Sequence, residues 1–533
     1  MPFSPTYLPY RQTNSFSSIV LDYVEGNETL KPFYEHSVDI TGIKNAIEQR
    51  KQFSTYRQLL VDHLEKQYKG MAVDAKLQQN IDSLLQENTF TITTAHQPNI
   101  FTGHLYFIYK ILHAIKLAEQ LRQELPGNHF VPVYYMGSED ADLEELGEVT
   151  IEGKKYTWHT NQTGAVGRMK IDKAFIELIT AIEGQLLVKP EGKEIMDMVR
   201  FVYTLDKTIE QATFEFVHRL FADYGLVILL PDSAALKRAF LPIVQKELKE
   251  QFSNKAVEAT VQQFPEQYKV QAAGREINLF WLEDNSRERI EAEGTGFKVL
   301  REKYDAGTFI QMIEADPRKI SPNVILRPVF QEMILPNIAF IGGGGELAYW
   351  LELKKVFNEA AVPFPVLVLR NSFLIVDKKA AGTIASLGMT ATDFFAPAEA
   401  LLQRIVEKHS ANQLDLTKEK EQLQQLYKSI QAIAGKTDST LKQHVDALHT
   451  QATKKISQLE KKIYRAEKRK FEAQQRQIAA VKELLYPGGT LQERVDNLLP
   501  WYALHGRSFI ELLYSNSLAL QQQFCLLESE GHG

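Results

Sequence analysis

At 533 residues the chain is too long for one ordinary domain and predicts two or three. Its apolar (44%) and charged (24%) fractions are those of an ordered globular protein, and a net charge of −6 argues against a broad nucleic-acid surface. A single cysteine, Cys525, excludes a disulfide framework and a cysteine-rich zinc site, and it is read as a packed residue rather than a nucleophile.

The opening segment MPFSPTYLPYRQTNSFSS has no basic stretch followed by an apolar run, so no secretory signal is expected. No run of 18 apolar residues occurs, so no membrane span is expected, and the cytoplasm is the expected location. Residues 1–90 read as mostly helical. KNAIEQRKQFSTYRQLLVDHLEKQY and NIDSLLQE both carry apolar residues near helical spacing, and these helices are expected to pack on the main sheet. From residue 89 to about 150 the pattern is strand, helix, strand. TFTITTA is rich in β-branched residues, LYFIYKILHAIKLAEQL is apolar enough for a helix buried on a sheet, PGN breaks the chain, and HFVPVYYMG is the next strand. A βαβ unit of this kind implies a parallel sheet.

Two stretches, near 150–220 and 236–325, read as insertions into this α/β pattern. The first holds KKYTWHT, GAVGRMK and two amphipathic helices. The second is helical at first, and then INLFWLED–NSR–ERIEAE reads as an antiparallel hairpin. Between them YGLVILLPD (224–232) is a core strand. The sheet resumes at ILPNIAFIGGGGELAYWLELKKVF, where a strand again enters a glycine turn that opens a helix, and PFPVLVLRNSFLIVD adds one or two strands.

After about residue 380 the composition changes. Residues 412–486 are rich in Lys, Glu, Gln and Leu, and Leu441, Val445, Leu448, Ala452, Ile456, Leu459, Ile463, Ala466 and Ala473 fall mostly at steps of three and four. The step from 452 to 456 acts as a stutter. Residues 435–438 separate this helix from an earlier one bearing Leu423, Leu426, Ile430 and Ile433, with Asp438 as the expected N-cap. The expected structure is an antiparallel hairpin with arms of roughly 45 residues, about 60 Å long. Its apolar stripe predicts a homodimer. The domain reading is therefore 1–380 as the core, 381–500 as the helical coiled-coil domain, and 501–533 as helices returning to the core.

Several residues are candidates for chemistry. His96 and Gln97 follow the first strong strand, where an imidazole binds phosphate or stabilises charge, or else satisfies buried backbone. Gly103 and His104 resemble half of the H-x-G-H signature of class I nucleotidyltransferases, but Phe101 stands where its first histidine belongs, and no K-M-S-K-S-like segment follows. Lys110, two turns into the helix, reaches a phosphate or caps a buried carboxylate. In MGSEDADLEEL, Glu139, Asp140 and Asp142 follow the second strand, where carboxylates hold Mg²⁺, bind an ammonium or act as a base; the alternative is an acidic helix N-terminus, which suits Glu144 and Glu145 better.

Asn323 and Arg327 precede an apolar segment, and the arginine needs a partner, either a substrate carboxylate or phosphate or a structural acid. The glycine run 342–345, including Gly343 and Gly344, precedes Glu346, Tyr349 and Trp350 and is able to bring backbone amides to a ligand or to form a tight turn. Arg370 ends a strand directed at the same cleft. Gly488, Gln492 and Arg494 form a second candidate nucleotide site, or else a cap. No Ser-His-Asp order, H-E-x-x-H or C-x-x-C is present. Catalytic roles are thus expected of His96, Glu139, Asp140 and Asp142, and binding roles of the others.

Over most of its length the chain resembles the BshC family, the cysteine ligases of bacillithiol biosynthesis. The resemblance is carried by AHQPNIFTGHLYFIYK, VYYMGSEDADLEEL, GAVGRM, SPNVILRPVFQEMILPNIAFIGGGGELAYW, PFPVLVLRNS and PGGTLQERV. The chain departs from the family pattern twice: His104 stands where the family has Pro, and Ala141 where it has His, so no role of that histidine carries over. The resemblance implies an α/β fold with a Rossmann-like parallel-sheet core related to class I nucleotidyltransferases, two inserted connecting-peptide segments, and a C-terminal antiparallel coiled coil used for homodimerisation. It also implies addition of L-cysteine to glucosaminyl-malate. ATP is the expected activator, with Mg²⁺ as a candidate companion, and neither nucleic acid nor membrane is expected as a partner. Two other readings stand beside it: a non-catalytic dimeric coiled-coil scaffold with a degenerate nucleotide-binding core, and a nucleotidyltransferase acting on another acid.

Overall fold

The β-branched run TFTITTAH forms an eight-residue strand in which every side chain is buried, as befits the centre of a parallel sheet. The computed structural model describes residues 3–272 and 274–530. Five parallel strands make the core sheet: β1 (Thr89–His96), β2 (His129–Met136), β3 (Val227–Leu229), and two that follow the insertions. Helix α1 (Leu105–Glu124) links β1 to β2, with thirteen of its twenty residues buried.

The second insertion builds an antiparallel sheet from β4 (Leu279–Glu283), β5 (Ser286–Glu293), β6 (Gly296–Val299), β7 (Glu302–Asp305) and β8 (Ile320–Pro322). Its order is β7-β6-β5-β4-β8. The predicted hairpin is β4–β5, with Glu283 opposite Ser286 across a two-residue turn. Helix α2 (Leu326–Ile334) leads to β9 (Asn337–Gly342), then to the short α3 (Gly344–Trp350) and β10 (Val366–Leu369).

The core sheet runs β10-β9-β1-β2-β3. The chain therefore builds outward from β1 to β3, returns to place β9 on the other side of β1, and builds outward again. This is the order of a doubly wound Rossmann sheet, and its direction reverses between β1 and β9. Ligands bind such sheets outside the carboxyl ends of the strands at that reversal. The helix Ile40–Lys51 packs on the core sheet, as expected of the N-terminal helices, setting Ile43, Ala46 and Ile47 against Phe90, Ile92, Ala339, Ile341 and Val366. Its KNAIEQRK… pattern divides into Ile40–Lys51 and Arg57–Tyr68.

The first insertion contains a hairpin, Glu148–Ile151 with Lys154–Thr157, and three helices rather than two. The third, Ile209–Phe221, is opened by a capping box between Thr208 and Gln211.

The chain forms two compact units. One comprises residues 5–374 and 491–527; the other is built mainly of residues 375–490. The latter holds an antiparallel helical hairpin, α4 (Thr417–Thr437) and α5 (Leu441–Lys468). Lys420 pairs with Glu460 and Gln431 with Asp446, which fixes the antiparallel register. The arms are 21 and 28 residues, not about 45, because the helix after α5 restarts at Glu472 beyond a 3-10 turn. The N-cap of α5 is Thr440 rather than Asp438: residues 435–437 stay helical, and the Asp438 carboxylate accepts from the Thr440 N–H at 2.8 Å. After residue 490 come helices Leu498–His505 and Arg507–Ser515 and a strand, Phe524–Ser529. Among the described residues, no helix is long and apolar enough to cross a membrane.

Candidate active site

At the reversal point between β1 and β9 lies a cleft of about 520 Å³. His96 ends β1, and Gln97 follows it. The segment after β2 brings Ser138, Glu139 and Asp140, while the glycine run after β9 brings Gly343, Gly344 and Gly345. The three stretches meet because parallel strands all deliver their carboxyl ends to one edge. The family-pattern segments around His96, Glu139 and Gly343 are therefore one site.

His96 is buried, stacked on Phe107 and edge-on to Tyr106. Burial, reinforced by Lys110, His104 and Arg370, pushes its pKa well below the usual histidine value, so the ring is neutral at pH 7. Its Nε2 has no hydrogen-bond partner among the described residues. Gln97 donates from Nε2 to Asp140 Oδ2 at 3.1 Å. Asp140 lines the cleft and has no cation within ion-pair distance among the described residues, with the Arg287 guanidinium acting on it from farther away. Glu139, in contrast, pairs with Lys237 and accepts from the Ser321 hydroxyl at 3.3 Å. Burial raises its carboxyl above the ordinary glutamate value, against the opposing pull of Lys237.

Lys110 lines the cleft, donates to Ala95 O at 2.9 Å and pairs with the carboxylate of Glu346. Glu346 also accepts from the Gly343 N–H at 2.8 Å. Arg370 donates from Nη2 to Glu493 at 2.6 Å and from Nη1 to Asn371 O and Ser372 Oγ. Its Nε is buried with no partner among the described residues, and a Cβ on Gly343 would lie 3.6 Å from it. That N–H is a built donor beside the glycine run.

Arg327 binds Gln331 Oε1 (3.1 Å) and the Tyr349 hydroxyl (3.0 Å) and lies over the Tyr135 ring. It has no carboxylate within ion-pair distance among the described residues. Asn323 lines the cleft, but its amide is spent within the protein, donating to Asn278 and accepting from the Ile325 N–H.

Not every predicted residue reaches the cleft. Asp142 caps the short helix Leu143–Leu146, accepting from the Glu145 N–H, as an acidic helix N-terminus does. Trp350 is core, stacked on Phe340 at 4.3 Å. Gly103 lies in a left-handed turn, with its carbonyl accepting from Asn497, and burial lowers the pKa of the neighbouring His104. Among the residues of the suggested second nucleotide site, Arg494 lines this same cleft, Gln492 is buried, and Gly488 belongs to the unit built mainly of residues 375–490.

Sequence reasoning missed Arg275 and Arg287, both over the Phe280 ring and both lining the cleft. Arg287 lies in β5 just after the β4–β5 turn, where alternating charge reads as an exposed strand face, and Arg275 lies in the loop before β4. It also missed Tyr106 and Tyr135. In all, six cationic side chains line the cleft, and Arg275, Arg287, Arg327 and Arg494 form no ion pair among the described residues. Such a surface takes a substrate with several negative charges. No group of three or more His, Cys, Asp or Glu is placed to hold a metal ion among the described residues.

Comparison with known proteins agrees with this layout. Residues 4–371 match the model of the bacillithiol biosynthesis BshC N-terminal Rossmann-like domain, and residues 373–529 match that of the BshC C-terminal coiled-coil domain. The chain is 37% identical to a Flavobacterium johnsoniae protein named "Putative cysteine ligase BshC", over 98% of this chain and 99% of that one. Proteins of the same name from Flavobacterium psychrophilum and Cytophaga hutchinsonii are 36% and 35% identical, covering 98% and 96% of this chain and 99% and 97% of theirs.

Proposed function

The chain belongs to the bacillithiol biosynthesis BshC family, and on that premise we propose that it is a cytoplasmic ligase joining the carboxylate of L-cysteine to the amine of glucosaminyl-malate. The observation that carries the reading is the cleft at the sheet reversal. Its four arginines without ion pairs match substrates that bring phosphates and a malyl dicarboxylate, and Asp140 offers a carboxylate for an ammonium.

Joining a carboxylate to an amine in water is uphill, so the carboxylate must be activated, and ATP is the activator proposed. The amides of Gly344 and Gly345, with the free Nε of Arg370, would hold its phosphates. Mg²⁺ would arrive on those phosphates, held by one or two carboxylates at most, as it is where substrate phosphates supply most of its ligands. Because Arg370 is tied to Glu493, the malyl carboxylates fall to Arg327, Arg275 and Arg287. Neutral His96 contributes a hydrogen bond rather than a charge. Asp140, held by Gln97, binds the cysteine ammonium, and Glu139 takes a proton from the sugar amine.

The test is direct. Purified protein, cysteine, glucosaminyl-malate and ATP should give a thiol-containing amide product only when ATP is present. No ATP-dependent product across a range of pH and Mg²⁺ would overturn the reading. Release of AMP would mark adenylation, and release of ADP phosphorylation.

A further inference from the structure

The segment GAVGRM braces the backbone of two residues that line the cleft, Ser138 and Asp140. The Gly167 N–H donates to Ser138 O at 3.0 Å, and the Val166 N–H to Asp140 O at 2.7 Å. A Cβ on Gly167 would lie 2.5 Å from Ser138 O, so only glycine permits this approach. The next residue, Arg168, grips Asp232 with two hydrogen bonds, Nε to Oδ2 at 2.7 Å and Nη2 to Oδ1 at 3.1 Å. Asp232 Oδ1 accepts from Lys237 Nζ at 2.8 Å, and Lys237 pairs with Glu139. Lys237 also donates to Arg318 O at 3.2 Å. The side chains of Lys237, Asp232 and Glu139 are only 2%, 9% and 11% exposed. Four charges thus alternate in sign through a largely buried chain and end on a carboxylate that lines the cleft.

We propose that Arg168, Asp232 and Lys237 are positioning residues that set the charge and aim of Glu139, the acceptor of the nucleophile's proton. The inference rests on the ligase reading for the identity of that nucleophile. In the step concerned, the sugar ammonium gives one proton to the Glu139 carboxylate. This leaves a neutral carboxylic acid and a neutral amine, whose lone pair then attacks the activated carbonyl carbon; the C–N bond forms, the C–O bond to the phosphate or AMP leaving group breaks, and the nitrogen loses its second proton to solvent.

Each neighbour acts on Glu139 with a definite sign. Burial raises its carboxyl, Lys237 lowers it and Asp232 raises it, while Arg287 also lowers it. Arg168 faces the same cluster from GAVGRM, Tyr135 faces it from β2, and Glu210, itself pushed up to about 7 by burial, faces it from the first turn of Ile209–Phe221. Removing the cation in Lys237→Met therefore raises the Glu139 pKa. Arg168→Gln does the same more weakly, because a freed Asp232 draws Lys237 away. Asp232→Asn lowers it, because Lys237 then serves Glu139 alone. Residues that merely hold the fold together would not shift one group in opposite directions.

The experiment follows the Glu139 carboxyl by ¹³C NMR in full-length protein labelled at glutamate Cδ, with the signal assigned by its loss in Glu139→Gln. The expected result is a titration midpoint about one to three pH units higher in Lys237→Met, higher by less in Arg168→Gln, and lower in Asp232→Asn. Where amide formation is measured, the acidic limb of kcat should move the same way. Arg168, 23% exposed, keeps the test available should Lys237→Met fail to fold. Midpoints that stay put, or that all move in one direction, overturn the inference. Opposite shifts in a protein that forms no amide would refute the ligase reading while leaving the network's control of Glu139 in place.

Discussion

His113 and His96 lie on the same helix–strand unit, and burial keeps both neutral, but to different ends. His96 keeps a free Nε2 at the cleft. His113 is consumed by structure: its Nε2 is 2.6 Å from Ala519 O, and its Nδ1 accepts from the Asn371 N–H at 3.0 Å. Burial lowers the His113 pKa to about 4. Between that value and the ordinary 6.5 the unfolded chain binds a proton that the folded chain refuses. The contribution to stability is therefore whole above pH 6.5 and declines as the pH falls toward 4. From pH 7 to pH 5 it amounts to about 2 kcal/mol. The raised carboxyls of Glu210 and Asp496 act with the opposite sign, so the informative quantity is a difference. Urea unfolding should show the wild type losing about 2 kcal/mol more than His113→Gln over that range; equal losses would refute the assignment. At this scale the sequence revealed His96, Glu139 and Asp140 because each follows a recognisable strand. Arg275 and Arg287 stayed hidden because nothing local distinguishes a cleft-facing arginine from a solvated one on a hairpin or in the loop before it.

Among the elements, the turn between β1 and α1 is the most constrained. Phe101, Thr102 and Gly103 all have positive φ (51°, 70° and 62°), although only the last is a glycine. Asn497 holds the turn by donating from Nδ2 to the carbonyls of Phe101 (2.9 Å) and Gly103 (2.5 Å), and Phe101 is packed against Phe175 and Tyr203. Gly103, at φ 62° and ψ −133°, occupies a region open essentially to glycine alone, and a Cβ there would lie 2.8 Å from the Asn99 Cβ. Gly103→Ala should cost at least about 1–3 kcal/mol. Gly345→Ala, where a Cβ meets nothing within 4 Å, should change stability by less than about 1 kcal/mol. Paired thermal melts check this, and equal melting temperatures for the two variants would contradict it. The strands around this turn were legible because β-branched, doubly buried runs have few other readings. The turn itself was not, because its conformation is imposed by Asn497, nearly four hundred residues downstream. For the same reason His104 drew notice as part of an H-x-G-H-like pair but does not line the cleft.

For the whole molecule, the decisive quantity is how little the helical hairpin buries by itself. No residue of α4 is buried, and of α5 only Val445 and Glu467 are. Leu426, Ile433 and Leu459 are 56%, 66% and 53% exposed, and Ile430, Leu441 and Leu448 are exposed as well. Leu426, Ile430 and Ile433 are spaced by four and three, the spacing of a coiled-coil seam. The sequence showed this periodicity but not the arm length, because apolar spacing continues past Lys468 although the helix is interrupted there by a 3-10 turn. A seam without a mate inside its own hairpin is completed most simply by a second copy, whose matching seam has the same composition. The expected state is a homodimer, with light scattering after gel filtration giving twice 60.8 kDa. Ile430→Glu combined with Ile433→Glu would bring four carboxylates together at a two-fold interface and should return the protein to 60.8 kDa, while the folded Rossmann-like unit persists by circular dichroism. A wild type that stays monomeric at tens of micromolar, or a double variant that still dimerises, would remove the seam as the interface.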